Sequence, residues 1–178
     1  EFGQNKHSHD GLSLFCRDCI TIKSHNQYEN KNMTIKQDTK KPSYDEFWIS
    51  FLPIISQRAT CNRGRSSSLL VKNNRIISTG YVGSPKGLPE CDEVGHIMER
   101  HIDILSGKTS EHCVRTCHSE INAILNCAKD GISTDGSTIY CMMTPCRNCA
   151  MAIIQAGIIR VVAKHRYQSD QYSIEMFE

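Results

Sequence analysis

Four residues at the starts of two helical patterns constrain this chain more than anything else in it. His118 and Glu120 stand where the pattern Ile121 to Asp130 begins, and Cys146 and Cys149 fall in the first turn after Pro145. Proline suits the first turn of a helix, and negative charge is favoured there, so both cysteines are expected as thiolates. One imidazole and two thiolates give zinc three protein ligands and keep a fourth position for water, the arrangement of a hydrolytic site. Zinc lowers the pKa of that water toward neutrality. Glu120 is then left unliganded, to move protons. A structural zinc knot would require a fourth Cys or His and has no use for a free carboxylate beside the metal.

His-x-Glu followed by Pro-Cys-x-x-Cys is the signature of zinc nucleobase deaminases. The runs His112 to Ile124 and Thr144 to Ala150, with Gln155-Ala156-Gly157-Ile158 after them, resemble the deoxycytidylate (dCMP) deaminase branch of the cytidine deaminase superfamily. The likeness extends from about Tyr44 to Gln168. It implies a zinc-dependent hydrolase that converts dCMP to dUMP and ammonia, supplying dUMP for thymidylate synthesis. Glu120 would be catalytic, protonating N3 of the cytosine ring and then passing a proton to the departing ammonia, and His118, Cys146 and Cys149 would hold the catalytic zinc. A homo-oligomer is also implied, a hexamer being the form suggested, with dCTP and dTTP as candidate effectors.

Some members of the family hold a second, structural zinc through a Cys after the first helix, a Cys after a glycine-rich loop, and a His upstream of the catalytic His. Those roles map onto Cys61, Cys91 and His112, with Cys113 or Cys117 as the fourth ligand; ordinary buried thiols and a surface histidine are the competing account. The resemblance also puts the loops carrying Arg63, Tyr81, Lys86 and Arg115 near the nucleotide, where cations can meet phosphate; solvated surface charge is the alternative for each. Two departures stand out. The family usually has Ala where Ser119 stands, a change expected to be harmless, and Asn where Val82 stands. A valine cannot make that hydrogen bond, which leaves the choice between dCMP and dCTP, and allosteric control, open.

At 178 residues the chain is long enough for one domain with a sizeable core. Its net charge of +2 is too mild for a nucleic-acid surface, which argues against the nearest rival, a tRNA adenosine deaminase. A free cytidine deaminase and a dCTP deaminase remain as alternatives, and a non-catalytic zinc scaffold is opposed by Glu120. Ten cysteines without a signal peptide or a long apolar run point to a reducing, cytoplasmic location with no membrane association.

Residues 1–32 read as a disordered leader, not native to the protein, before a plausible start at Met33, so the domain is expected over 33–178. Cys16-Arg17-Asp18-Cys19 inside the leader has ligand spacing but nothing nearby to complete a site. Ser43 and Glu46 form a capping-box pattern, followed by Phe47, Phe51, Ile54 and Ile55 at helical spacing to about Arg58, with a kink expected at Pro53 and Trp48 in the core. Ser68 to Val71 and Arg75 to Ser78 read as a hairpin turning at Asn73-Asn74. Residues 80–89 are a Gly- and Pro-containing loop, and His96 to about Leu105 reads as a short helix. After the His118 helix, which stops at Asp130-Gly131, come a strand over Thr138 to Met142, the Cys146 helix to Gln155, and a strand over Ile158 to Ala163. Cys127 and Cys141 read as small core residues. The fold class is therefore α/β: a three-layer α/β/α sandwich of the cytidine deaminase type, with a mixed sheet of four or five strands, mostly parallel after the initial hairpin. The family adds a further helix, continuing from Ser173 to Phe177, and a fifth strand. A truncated C-terminus is expected because the chain stops at Glu178.

Overall fold

Ser43 opens the first helix, α1 (Tyr44–Ser56): its hydroxyl accepts from the Glu46 N–H at 3.3 Å, and the Glu46 carboxylate accepts from the Ser43 N–H at 2.8 Å. This reciprocal pair satisfies donors that a helix start leaves free. The computed structural model describes residues 41–102, 107, 109–167 and 170–178, so the expected leader, Cys16, Cys19 and Met33 lie outside the described residues. Pro42–Glu178 form one compact unit. Helix α1 accommodates Pro53 and buries Trp48 and Leu52, four residues apart on one face. The expected stripe is thus rotated. Phe47 and Ile54 are exposed, with the Phe47 ring edge-on to Trp48 at 4.8 Å, while Phe51 and Ile55 pack only partly.

The main sheet has the order β2-β1-β5-β6, from β1 (Ser67–Lys72), β2 (Arg75–Tyr81), β5 (Thr138–Met143) and β6 (Arg160–His165). The β1/β2 hairpin turns on Asn73 and Asn74, both with positive φ (52° and 55°), a conformation that asparagine tolerates. Strand β5 pairs antiparallel with β1 and parallel with β6, so the sheet is mixed but only one of its pairs is parallel. Alternation along β1 sends Leu69 and Val71 toward Trp48 and Leu52 of α1, and Leu70 toward Ala123, Cys127 and Ile153 on the opposite face. That second face carries α3 (Ser119–Lys129) and α4 (Arg147–Gln155). Cys127 and Cys141 are fully buried there, and α5 (Gln171–Phe177) adds Phe177 to the same cluster.

Between Val94, the end of the short α2 (Cys91–Val94), and α3, the structure departs from the expected helix. Met98–Ile102 and Thr109–Cys113 form an antiparallel pair, β3 and β4, separate from the main sheet. All five β3 residues are exposed, so no apolar stripe held them in a helix, and cross-strand bonds to 109–113 decide the backbone instead. Among the described residues no helix is long and apolar enough to cross a membrane.

An ion pair joins the outer layer to the sheet. Asp45 of α1 accepts two bonds from Arg160 of β6 (2.8 and 2.7 Å) and one from the Tyr140 hydroxyl (2.8 Å). The Arg160 bonds are the largest influence; burial works against them and Tyr140 adds to them, and the Asp45 carboxyl is held down at about 2, from an ordinary value of 3.8. A depressed folded pKa contributes stability above the unfolded value and loses it as pH falls through the folded one. Acid unfolding of Arg160→Met should therefore show a shallower loss of stability between the ordinary value of 3.8 and about 2 than the parent protein shows.

Candidate functional site

Two helix starts meet on one face of the sheet. His118 is the N-cap of α3 and Cys146 the N-cap of α4, with Cys149 in the first turn of α4. Strand β2 lies so close behind α3 that a Cβ on Gly80 would overlap the Ser119 carbonyl oxygen and the Ala123 backbone. Ahead of His118, Gly83 and Cys117 exchange backbone bonds (3.3 and 2.9 Å), which fixes the glycine-rich loop beside the histidine.

His118 Nδ1 lies 3.4 Å from the Sγ of both Cys146 and Cys149. With zinc bonds of about 2.05 Å to nitrogen and 2.3 Å to sulfur, the N···S edge of a tetrahedron is roughly 3.6 Å. The three atoms are thus spaced to hold that metal. Glu120 is 6 % exposed; its Oε2 accepts from Ser119 Oγ at 3.1 Å and lies 3.9 Å from Cys149 Sγ. Burial pushes the Glu120 carboxyl up, toward a group that can hold a proton. Hydrogen bonding from Cys149 is the largest influence on Cys146, bringing it down to about 4 against burial, with His118 helping. Cys149 is pushed up in return, and the bond with Cys146 raises His118.

A cavity of about 270 Å³ opens over these residues, lined also by Arg63, Ser66, Val82, His112, Thr116, Thr144 and Tyr167. Of the residues expected at the substrate, Arg63 reaches this wall, its Nη2 donating to the Glu111 carbonyl at 3.4 Å. The other three do not. Lys86 stands exposed in its loop, Tyr81 lies beneath the loop with its carbonyl accepting from Asn122, and Arg115 Nε donates to the Gly95 carbonyl at 3.0 Å. For Arg115 the bond to Gly95 accounts for the direction of the side chain. His112 lines the cavity instead of joining a second ligand set: its Nε2 bonds with Ser110 Oγ at 2.8 Å and its ring sits edge-on to His101. Burial, then His101 and His118, lower its pKa.

The second cluster is Cys61, Cys91, His96 and Cys113, with all four ligand atoms within 4.8 Å of one another. His96 takes the place expected of His112, and Cys113 rather than Cys117 completes the set. Neighbouring strand residues point to opposite faces, so Cys113 facing the cluster turns His112 away from it. Cys91 Sγ and Cys113 Sγ are 3.5 Å apart, and Cys61 Sγ and His96 Nδ1 are 3.6 Å apart. Tetrahedral zinc edges are roughly 3.8 and 3.6 Å for those atom pairs. Asn62 Oδ1, 3.0 Å from His96 Nε2, accepts the ring's other proton and leaves Nδ1 free to ligate. Burial holds the Cys91 thiol at about 12; it also works to raise Cys113, but the Arg115 N–H, His96 and Cys91 together bring that thiol to about 6. His96 escaped the sequence reading because it stands 35 residues from Cys61, with no spacing rule to link them.

Residues 42–165 match the family described as the cytidine and deoxycytidylate deaminase zinc-binding region. The chain is 38% identical over 136 residues to ComE operon protein 2 of Bacillus subtilis, covering 76% of this chain and 67% of that one. It is 30% identical over 138 residues to the deoxycytidylate deaminase of Schizosaccharomyces pombe, covering 78% of this chain but only 42% of the yeast protein. The crystal structure of dCMP deaminase from the cyanophage S-TIM5 in complex with dCMP and dUMP superposes with a TM-score of 0.59 at 28% identity, over 78% of this chain and 92% of that one. With the family match spanning most of its length and the zinc-ligand geometry in place, the chain belongs to the cytidine and deoxycytidylate deaminase family.

Proposed function

We propose that this protein hydrolyses dCMP to dUMP and ammonia, with one zinc held by His118, Cys146 and Cys149 and a second, structural one held by Cys61, Cys91, His96 and Cys113. The observation that carries the reading is a buried carboxylate, Glu120, beside a three-ligand set and facing the floor of a cavity. Zinc in that set supplies a water whose pKa lies near neutrality. In this reading Glu120 takes a proton from the water and delivers one to N3 of the ring. The water oxygen bonds to C4, Glu120 then takes the second proton from that oxygen and passes it to the amine, and the C4–N4 bond breaks, leaving C4=O and releasing ammonia. A carboxyl whose pKa is raised by burial is suited to both directions of transfer.

The phosphate is read by the cavity wall, where Arg63 is the cation available to it and His112 a neutral or charged donor. Val82 lines the same wall and brings no hydrogen bond, so specificity rests on these groups. Deoxycytidine is expected to be poorer than dCMP by at least about 10²-fold in kcat/KM, which is roughly 2.7 kcal/mol of transition-state binding. Arg63→Ala should narrow that gap by weakening dCMP alone, and dCMP should exceed dCTP. Rates for the three compounds test the reading: equal kcat/KM for deoxycytidine and dCMP would make the chain a nucleoside deaminase.

A further inference from the structure

Ser119 does more than fill the position that an alanine would fill. It is fully buried at the first turn of α3, and its Oγ donates to Glu120 Oε2 at 3.1 Å. Ser68 of β1, also fully buried, has its Oγ 2.8 Å from Ser119 Oγ. A hydroxyl has one hydrogen, and that of Ser119 is used on Glu120. Ser68 must therefore supply the hydrogen of the second bond, and the two hydroxyls form a chain directed from the sheet to the carboxylate. Cys141, fully buried on β5, is the register partner of Ser68 and closes the core behind it. If packing alone were at stake, two alanines would fill the space without polar atoms that need partners, and such paired replacements are close to neutral for stability. The pair has a different use.

We propose that Ser119 and Ser68 are positioning residues for Glu120, a two-hydroxyl strut that fixes Oε2 beside Cys149 and so sets where the carboxyl stands against the ligand set. The proposal rests on the deaminase reading for its kinetic consequence, but not for its structural one. Directed hydrogen bonds polarise one another, so the near bond is strengthened by the far one. Ser68 touches no reacting atom and acts only through Ser119.

The test is a double-mutant cycle on the zinc-loaded protein. Ser119→Ala should lower kcat for dCMP by about tenfold, the scale of one hydrogen bond to a charged group, with KM within about twofold of the parent. Ser68→Ala should lower kcat less, and should lower it no further in the Ser119→Ala background, because its effect passes through the missing hydroxyl. Crystal structures of zinc-loaded parent and Ser119→Ala proteins give the second readout: one Glu120 rotamer in the parent and more than one in the variant. Additive kcat losses, or a single unchanged Glu120 rotamer in the variant, would overturn the strut. If the parent failed to turn over dCMP, the reading of function would fall, while the rotamer comparison would still decide the strut by itself.

Discussion

Glu120→Gln is expected to keep its zinc and lose nearly all turnover, by about 10⁴-fold, the upper end of what a general acid–base group contributes. The upper end applies because the same carboxyl is asked to move protons at the water, at N3 and at the leaving amine, and among the described residues no other carboxylate contacts the three ligands. An amide fills the same volume and can still accept from Ser119 Oγ, so the fold at the first turn of α3 is preserved. Metal analysis and single-turnover rates should be measured on one preparation. Turnover near that of the parent with full zinc would remove Glu120 from the chemistry and leave the His118, Cys146 and Cys149 set without a proton carrier.

The second large effect is on stability. Cys91→Ser should take the zinc content from about two ions per chain to about one and should lower the melting temperature sharply while the remaining folded protein keeps its chemistry. Structural zinc contributes its binding free energy to folding, because the unfolded chain has no preformed site. The four ligands come from the α1–β1 loop, α2, the segment before β3, and β4, so without metal these short elements lose their common anchor. At about 3 °C per kcal/mol for a chain of this size, a loss of several kcal/mol reads as a fall of about 10 °C or more. A parent protein carrying a single zinc without chelator exposure, or an unchanged melting temperature in the variant, would refute the second centre.

The residues that meet at the cavity floor were legible because helix starts are local events. Pro145, the Cys146/Cys149 spacing and the polar break at His118 fix two N-termini with little help from the rest of the chain, and Asn73-Asn74 does the same for a hairpin. Long-range placement was not legible. His96 meets Cys61 across 35 residues, and the β3–β4 hairpin that follows it and brings in Cys113 reads as a helix at short range, because residues 98–102 show no apolar alternation. Arg115 and Lys86 sit in loops near the site, yet where a long side chain points is decided by which carbonyl it finds, and Arg115 found that of Gly95. Ser119 looked like a neutral exchange for alanine because its partner, Ser68, lies 51 residues away on another element.

Strand β4 carries a further consequence for how this family member can drift. His112 and Cys113 share one peptide; both line the cavity, only Cys113 belongs to the thiolate cluster, and His112 is held in register with Glu99. A change at position 112 therefore replaces no ligand of the cluster, alters what the cavity wall offers a substrate, and is restricted in backbone. A residue that keeps the strand extended leaves Cys113 aimed at its cluster. Proline would remove the N–H from the pairing, and glycine would relax the strand that aims Cys113. Variation in what this wall recognises is thus confined to side chains that leave the strand straight.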